Sequence, residues 1–461
     1  MDLPTQLLEN RVFADIAIGD SASLTKTISL DDIALFSLIS GDINPAHLDT
    51  EYAATDLFHH VIAQGALTAG LISAVLGTKL PGPGTIYLAQ DFRFLAPVNP
   101  GDAITATVSV AERNPDKDRL TLDCSCKNQD GLEVLHGTAT VRAPDQKISR
   151  PAIALPEIRL LRHERLRALL TRAAGTPLVT AIAHPCDEIA LRTAADAAAA
   201  GHIIPLLVGP EEKIRRIALE HKIDISSFRL EPAAHSHAAA ARAVELVRTG
   251  AARLLMKGSL HTDELLHEVM RPETGLRTGR RLSHVYVMDI PTYPRPLLVT
   301  DAAVNITPDL ETKRSIVQNA IDLAHILGVA TPRVALLAAV ETINPGMQAT
   351  LDAAALCKMA ERGQITGAIL DGPLAFDNAI SAAAAAQKNI TSPVSGLADI
   401  LLVPDLEAGN ILAKNLTYLA NADAAGIVLG AAVPIILTSR ADSERTRLAS
   451  CALAVMAAAH G

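Results

Sequence analysis

The sequence predicts an α+β domain, in which an antiparallel sheet wraps one central helix, followed by an α/β unit of two subdomains with largely parallel sheets. Two observations support this prediction. Within residues 11–142, one apolar helical stretch precedes four strand-like segments separated by turn signals. Within residues 161–461, short β-branched or Leu-rich runs alternate with Ala-rich helical stretches, which is typical of parallel strands joined by helices.

The first predicted helix begins at Ser29, a capping residue with an acidic partner three positions later, and ends before an Asn-Pro turn. Asn44 and the proline after it cannot continue a helix, so the chain turns between Asp42 and His47. A carboxylate and an imidazole aimed at one point can hold and deprotonate a water. Asp42 and His47 are therefore a candidate acid/base pair, with a helix cap and a surface histidine as the alternative.

The central helix of the first domain is predicted over residues 62–80. It is apolar on nearly every side, which is typical of a buried helix, and the run Pro81-Gly82-Pro83-Gly84 ends it. An Asp-Gly pair at residues 130–131 predicts a hairpin between the last two strands. The predicted strands of this domain are 85–95, 102–113, 119–129 and 132–142.

Residues 143–160 carry three prolines and mixed charge, which indicates a linker. The unit that follows, residues 161–461, is predicted to contain two subdomains. One consists of residues 161–295 plus 431–461, and the other of residues 296–430. Its predicted strands lie near 177–183, 203–208, 253–256, 284–289, 297–300, 333–338, 367–370, 399–403 and 434–438. Its predicted helices include 187–200, 235–249, 308–327, 350–362 and 441–459.

Composition excludes several classes of function. The formal charge of −9, the lack of Trp and an aromatic content of 3% argue against a nucleic-acid partner. No apolar run reaches the length of a membrane span and no signal peptide opens the chain, so we expect a cytoplasmic protein without a membrane partner. Five scattered cysteines predict no disulfide framework. We expect no metal site, either at the adjacent pair His59 and His60 or at Cys124 and Cys126 on one strand face.

Polar clusters follow four predicted strands of the α/β unit. Side chains at the carboxyl ends of parallel strands meet in one crevice, and backbone N–H groups at helix starts attract anions there. Each cluster alone also fits an ordinary helix entry, but together they predict a cleft that handles an anion. The cluster residues are Lys257, Gly258 and Ser259; Asp301 and Asn305; Asp405, Glu407 and Asn410; and Ser439 and Arg440.

The first half resembles the MaoC-like, hotdog-fold (R)-specific enoyl-CoA hydratases. The resemblance rests on the Asp42…Asn44-Pro45…His47 core and on the glycine at the start of the central helix. It implies that Asp42 and His47 add a water across a trans-2-enoyl-CoA, that the Gly65 amide polarises the thioester carbonyl, and that Asn44 contacts substrate. Gln64 stands where these enzymes commonly have His, and Gly70 where some have Ser.

The second half resembles the phosphate acetyl/butyryltransferase family. The matching motifs are Lys257-Gly258-Ser259, Asp301-Ala302-Ala303-Val304-Asn305, Asp371-Gly372-Pro373-Leu374-Ala375-Phe376-Asp377, Pro404-Asp405-Leu406-Glu407-Ala408-Gly409-Asn410 and Ser439-Arg440. The resemblance implies acyl-CoA + phosphate ⇌ acyl phosphate + CoA, with Arg440 binding phosphate and Ser439 stabilising the tetrahedral intermediate. It also places Asp377 among the substrate-binding residues. The base for the CoA thiol is left open between Asp442 and Glu444.

Together the two resemblances imply a bifunctional CoA enzyme. They imply coenzyme A thioesters and inorganic phosphate as substrates, no tightly bound cofactor, and a homo-oligomer. Acyl chain length, including acetyl against butyryl, stays open. Two alternatives remain: a hydratase whose second half is only a scaffold, and a non-catalytic acyl-CoA-binding regulator. A dehydrogenase is disfavoured because no Gly-x-Gly-x-x-Gly run follows the first strand of the α/β unit.

Overall fold

The computed structural model describes residues 7–153, 156, 158, 160, 164–173, 175, 177–439 and 442–460. The chain forms two compact units, Met1–Leu160 and Leu161–Gly461, and each has its own buried apolar core. Along the described residues, no helix combines the length and the apolar character needed to cross a membrane.

The first unit is a five-stranded antiparallel sheet with a long helix packed on it, plus a separate two-stranded pairing. The sheet order is β2-β4-β5-β6-β3, and β1 pairs with β7. The helices are α1 (Leu30–Ser40), α2 (Pro45–Leu48), α3 (Thr50–Thr55) and α4 (Gly65–Thr78). The strands are β1 (Leu7–Glu9), β2 (Ser21–Thr27), β3 (Ile86–Phe94), β4 (Ala103–Asn114), β5 (Arg119–Lys127), β6 (Glu133–Arg142) and β7 (Ser149–Pro151).

Helix α4 is the central helix that the sequence predicts. Its side chains Ile72 and Val75 are fully buried against inward-facing residues of β4 such as Ile104 and Val108. Burial of each such aliphatic side chain contributes about 1.5–3 kcal/mol. The helix starts three residues later than predicted, because the Ala63 N–H donates to the Val98 carbonyl at 2.8 Å and keeps the preceding segment extended.

The antiparallel sheet around a central helix is confirmed, with two additions. The polar edge strand β2 has no apolar alternation strong enough for sequence-based detection. Part of the predicted linker, Ser149–Pro151, forms β7. Cys124 and Cys126 share the inner face of β5, as the alternation predicts, and burial raises the pKa of both thiols to about 12.

The second unit is an eleven-stranded sheet covered by helices. Its order is β10-β9-β8-β11-β18-β17-β12-β13-β16-β14-β15. The strands are β8 (Leu178–Ala183), β9 (Ile203–Gly209), β10 (Arg229–Pro232), β11 (Leu254–Lys257), β12 (Ser283–Asp289), β13 (Leu297–Thr300), β14 (Arg333–Leu337), β15 (Ile369–Leu374), β16 (Ile400–Leu402), β17 (Asp423–Leu429) and β18 (Ile435–Ile436). The helices are α5 (Glu164–Ala173), α6 (Glu188–Ala199), α7 (Glu211–Glu220), α8 (Ser236–Arg248), α9 (Thr262–Val269), α10 (Leu310–Ile326), α11 (Gln348–Glu361), α12 (Phe376–Ile380), α13 (Ala382–Gln387), α14 (Leu406–Leu419) and α15 (Glu444–Ala459).

The predicted largely parallel sheet is confirmed, but its middle is antiparallel. β12 runs antiparallel to both β13 and β17, and β17 runs antiparallel to β18. The connection from β12 to β13 is too short for a crossover helix, so these strands form a hairpin. The two predicted subdomains share this one sheet, because β17 lies in the predicted second subdomain and pairs with strands of the first.

Candidate active sites

The first candidate site lies at the turn between α1 and α2. Helix α1 begins at a capping box, in which the Asp32 N–H donates to Ser29 Oγ and the Ser29 N–H donates to the Asp32 carboxylate. It ends at Gly41, whose φ of 76° is the left-handed conformation common at helix C-termini. Asp42 comes next, and its Oδ1 accepts from the Asn44 N–H at 3.2 Å. Asp42 is therefore held by its own turn.

Asn44 begins the next short helix. Its Oδ1 accepts from the Ala46 N–H at 3.2 Å and caps α2, with Pro45 at the first helical position. This cap places His47 on α2, facing back toward Asp42. The structure thus gives the Asn44 side chain a capping role, and we infer that it positions the pair instead of contacting substrate.

The side chains of His47 and Asp42 face each other without a direct hydrogen bond between them. His47 Nδ1 lies 2.8 Å from the Ile62 carbonyl oxygen. Because a carbonyl only accepts, Nδ1 carries the proton, and in the neutral ring Nε2 presents a lone pair. Nε2 lies 3.8 Å from Asp42 Oδ2, too far for a direct hydrogen bond and suited to a bridging water. The side chains are 11% and 43% exposed, respectively.

Gly65 is the first residue of α4, and no described residue accepts a hydrogen bond from its N–H. The helix dipole adds partial positive charge at this end. A Cβ at this position would lie 3.1 Å from the Phe94 ring, so glycine fits best. Beside it is an apolar cavity of about 260 Å³ lined by Phe58, Ile62, Gly65, Phe94 and their neighbours. Ile62 links this cavity to His47, because its carbonyl accepts the His47 Nδ1 proton.

Gln64 caps the start of α4 and is 2% exposed. Its Nε2 donates to Ser37 Oγ at 2.8 Å and to the Ile33 carbonyl at 3.3 Å, so it ties α4 to α1. The carbonyl partner requires the amide nitrogen on this side. Gln64 therefore holds the helix that precedes Asp42 against the helix that begins at Gly65.

The second candidate site lies where strands of the large sheet end. A cavity of about 710 Å³ is lined by residues from β11, β12, α14 and the segment after β18. It brings together four residues that the sequence selects: Lys257, Ser259, Asn410 and Ser439. Arg440 lies outside the described residues.

Gly258 and Ser259 hold the end of β11 against the end of β8. A Cβ on Gly258 would lie 2.5 Å from the Ala183 carbonyl oxygen, so only glycine permits this approach. Ser259 Oγ donates to the His184 carbonyl at 2.9 Å and accepts from the Cys186 N–H at 3.0 Å. Ser259 therefore shapes the cavity wall as well as lining it.

The two candidate bases, Asp442 and Glu444, differ in position, because Asp442 lines a cavity and Glu444 does not. A second cavity of about 620 Å³ is lined by Ser439, Asp442 and the inner face of α14. Asp442 Oδ2 accepts from the Ser439 N–H at 2.7 Å. Burial raises the pKa of the Asp442 carboxyl, against the opposing effects of that hydrogen bond and of the Arg447 and Lys257 charges. Glu444 is exposed in the first turn of α15.

Asp301 and Asn305 do not point into the cleft as expected. Asp301 is 2% exposed and Asn305 Nδ2 donates to the Leu282 carbonyl at 2.7 Å. The turn after β13 leaves several N–H groups partly buried, and such groups require acceptors. The Asp301 carboxylate supplies them, accepting from the N–H groups of His284, Ala303, Val304 and Asn305 at 3.0–3.2 Å.

Three further predicted substrate-binding residues lie outside both cavity walls. Asp405 caps α14 by accepting from the Ala408 N–H at 2.8 Å, and Glu407 is exposed in the first turn of that helix. Asp377 is half-exposed and pairs with Lys388 at 3.3 Å. Asn410, which belongs to the same motif as Asp405 and Glu407, does reach the cleft. Its Nδ2 also donates to the Ala302 carbonyl.

Sequence reasoning missed His284 and Tyr286, which line the cleft from the middle of the sheet. They are two residues apart on β12 and so face one side, but the segment reads as an ordinary buried strand. Burial lowers the pKa of His284 to about 4, against the nearby Asp301 charge, and raises the pKa of Tyr286 to about 12.

The two units together indicate an enzyme, with a His–Asp pair at a helix turn in the first unit and a polar cleft at the strand ends of the second. Family comparisons agree. The family described as "Phosphate acetyl/butaryl transferase" matches residues 233–455, and "MaoC like domain" matches residues 17–123. The chain belongs to the phosphate acetyl/butyryltransferase family and carries a MaoC-like domain ahead of it.

Individual relatives cover each half. A phosphate acetyltransferase of Rhizobium meliloti is 62% identical over 293 residues, which cover 64% of this chain and 93% of the relative. The structure of a branched-chain phosphotransacylase from Enterococcus faecalis V583 is 32% identical with a TM-score of 0.54, covering 61% of this chain and 99% of that one. An R-hydratase of Pseudomonas aeruginosa is 42% identical with a TM-score of 0.33, covering 34% and 99%. The family matches confirm the MaoC-like resemblance of the first half and the transferase resemblance of the second.

Proposed function

We propose that the protein hydrates trans-2-enoyl-CoA to (R)-3-hydroxyacyl-CoA in its first unit and transfers acyl groups between CoA and phosphate in its second. The observation that carries the first activity is the 3.8 Å gap between two hydrogen-bond acceptors, His47 Nε2 and Asp42 Oδ2. For the second activity it is the position of Ser439, which lines both the cavity that contains Lys257 and the second cavity that contains Asp442.

In the hydratase reaction, one water donates its two hydrogens to Asp42 and to His47 Nε2. Its oxygen is left with lone pairs directed away from both acceptors, and it attacks C3 of the enoyl group. One member of the pair takes the water proton, and a proton returns to C2, so that the elements of one water are added. General acid/base catalysis of this kind contributes on the order of 10²- to 10⁴-fold.

The Gly65 N–H donates a hydrogen bond to the thioester oxygen and stabilises the negative charge that develops there. It is a fixed donor at a helix N-terminus, where it stabilises an enolate without reorganisation. The acyl chain occupies the apolar cavity of about 260 Å³ beside Gly65, whose size favours short chains. The (R) configuration is proposed on the resemblance of the Asp42…His47 motif to (R)-specific hydratases.

In the transferase reaction, a phosphate oxygen attacks the thioester carbon and the C–S bond breaks. Ser439 stabilises the tetrahedral intermediate, and Arg440 and Lys257 bind phosphate. The proton of hydrogen phosphate ends on the CoA sulfur, with Asp442 as the relay. In the reverse direction Asp442 accepts the thiol proton. Burial suits this role, because a raised pKa brings a carboxyl closer to that of the thiol.

We also propose that the protein acts in the cytoplasm as a homo-oligomer. Around the first site, Leu38, Ile39 and Ile43 are exposed by 76%, 83% and 78%. The edge strand β3 also exposes Leu88 and Phe94. Exposed apolar side chains in this density are typical of surfaces that a second copy covers.

Two assays on one preparation test the proposal. Hydration is followed as loss of enoyl absorbance with crotonyl-CoA, and acyl transfer as phosphate-dependent release of CoA from acetyl-CoA and butyryl-CoA. Both activities are expected. Hydration without CoA release would leave a hydratase with a scaffold-like second unit. Binding of CoA thioesters with neither turnover would indicate an acyl-CoA-binding regulator.

A further inference from the structure

His284 is a buried imidazole in the wall of the transferase cleft, and the surrounding structure holds it tightly. It lies on the central strand β12 and is 1% exposed. The backbone N–H of His284 donates to Asp301 Oδ1 at 3.2 Å, and its backbone carbonyl accepts from Thr300 Oγ1 at 2.9 Å. The ring packs edge-on against Tyr286 at 4.4 Å between centroids. Both its backbone and its ring orientation are thus fixed.

Gly426 on the neighbouring strand β17 leaves room for this ring. A Cβ there would lie 2.9 Å from His284 Nε2 and 3.0 Å from Tyr286 Cε1. Gly426 also pairs directly with Tyr286 in the sheet register. A side chain at this central position would therefore displace the imidazole from the cleft wall.

The ring nitrogens of His284 lack protein partners within the described part of the chain. Nδ1 is fully buried and unpaired, and no described residue is hydrogen-bonded to Nε2. Burial of an unsatisfied polar group costs on the order of 1–3 kcal/mol, so such groups call for a function or a ligand. Because an N–H donor without a partner is costlier than a lone pair, the proton belongs on Nε2 and the sealed Nδ1 keeps its lone pair.

We propose that His284 is a catalytic residue of the transferase, whose Nε2–H donates to the oxyanion formed at the acyl carbon when phosphate attacks. This inference rests on the proposed transferase function. His284 shares the cavity wall with Ser439 and Lys257, where that carbon must lie. A neutral imidazole is a suitable donor, since the low pKa keeps it uncharged and its proton in place at neutral pH.

The test compares His284→Gln with His284→Leu. The glutamine amide nitrogen reaches about as far as Nε2, so His284→Gln retains a donor, whereas His284→Leu removes it. His284→Leu is expected to lower kcat for phosphate-dependent CoA release by on the order of 10²- to 10³-fold with little change in KM for phosphate. His284→Gln is expected to recover at least tenfold of that loss.

His202 provides the matched control. It is also buried, with an unpaired Nδ1 and a pKa lowered by burial, but it lies outside both cavity walls. His202→Gln is expected to leave kcat unchanged. Equal kcat losses in His284→Gln and His284→Leu, or a rise in KM with kcat retained, would overturn the proposal.

A spectroscopic readout covers the case in which a variant fails to fold. In the ¹⁵N-histidine spectrum of the wild type, the His284 imidazole is expected as the neutral Nε2–H tautomer at pH 6, with a shift when CoA and phosphate are added. An Nδ1–H tautomer or no response to ligand would contradict the proposal. Absence of any CoA release by the wild type would refute the proposed function itself, whatever the tautomer.

Discussion

His47 Nε2 lies 3.8 Å from Asp42 Oδ2, while Nδ1 of the same ring donates to the Ile62 carbonyl. The carbonyl fixes the tautomer, so two acceptors face each other across a gap that fits one water. His47→Gln replaces one acceptor with an amide that donates to Asp42 directly. Hydration of crotonyl-CoA is expected to fall by on the order of 10²- to 10⁴-fold.

The control for His47→Gln is His136→Gln, which removes an exposed histidine whose Nδ1 lies 3.2 Å from Glu133 Oε1. Exposed pairs contribute about 0–1 kcal/mol, so this variant is expected to keep full hydratase activity. Phosphate-dependent CoA release by each preparation reports whether the second unit is intact. A hydration rate in His47→Gln equal to that of the control would show that the imidazole has no role.

Gly65→Ala is expected to damage the proposed oxyanion site while keeping the N–H. Its Cβ would meet the Phe94 ring at 3.1 Å, which forces the ring or the helix start to shift by a few tenths of an ångström. We expect the crotonyl-CoA kcat/KM to fall at least tenfold. Gly77→Ala, on the same helix with open space around its Cβ, should keep activity and gain about 0.5–1 kcal/mol of stability. Equal activity of the two variants would argue against the Gly65 role.

Asp442→Asn is expected to lower the rate of CoA acylation by acyl phosphate by on the order of 10²-fold or more, because the thiol loses its base. Glu444→Gln, two residues away and exposed, is expected to change that rate by less than twofold. The reverse ranking would assign the base to Glu444.

The pH dependence of CoA acylation follows from the raised pKa of Asp442. A base with a raised pKa stays protonated to higher pH than an ordinary aspartate, whose pKa is 3.8. The rate should therefore fall as pH decreases through a value above 3.8, and this limb should be missing from the residual activity of Asp442→Asn. Rate profiles measured with acetyl phosphate and butyryl phosphate check this prediction.

Asp301→Ala is expected to destabilise the second unit by several kcal/mol, because it leaves one buried and three partly buried N–H groups without their acceptor. Asp377→Ala removes a half-exposed carboxylate whose ion pair is worth about 0–1 kcal/mol. Urea denaturation of both variants measures the difference. Similar unfolding midpoints would contradict the structural role of Asp301.

Most of the secondary structure could be predicted because its signals are local. The capping box at Ser29, the Asn-Pro turn and the apolar central helix each depend on residues within a few positions of one another. The antiparallel hairpin of β12 and β13 was missed because run length and composition do not encode strand direction. The antiparallel direction follows from the short connection between these strands, which leaves no room for a crossover helix.

Part of the geometry of the candidate sites could be predicted. Asp42 and His47 face each other, and Ser439 and Asn410 line one cavity, because motif residues at turns and strand ends are placed by local geometry. Asp301 and Asn305 carry the same kind of motif signal, yet they serve buried N–H groups that only the folded turn creates. A motif predicts that a certain residue type is required at a position. It does not show whether that side chain bonds to the backbone or contacts a substrate.

The sequence by itself determined two units, their layers of structure, and the motifs that make Asp42 and His47 a candidate pair and the strand ends a candidate cleft. Only the tertiary structure decided which of those residues face a cavity, that Asp442 and not Glu444 adjoins Ser439, and that the His284 ring lines the cleft with no hydrogen-bond partner among the described residues. The physical reason is that periodicity and turn chemistry act over a few residues, whereas burial and hydrogen-bond satisfaction depend on strands brought together from distant parts of the chain.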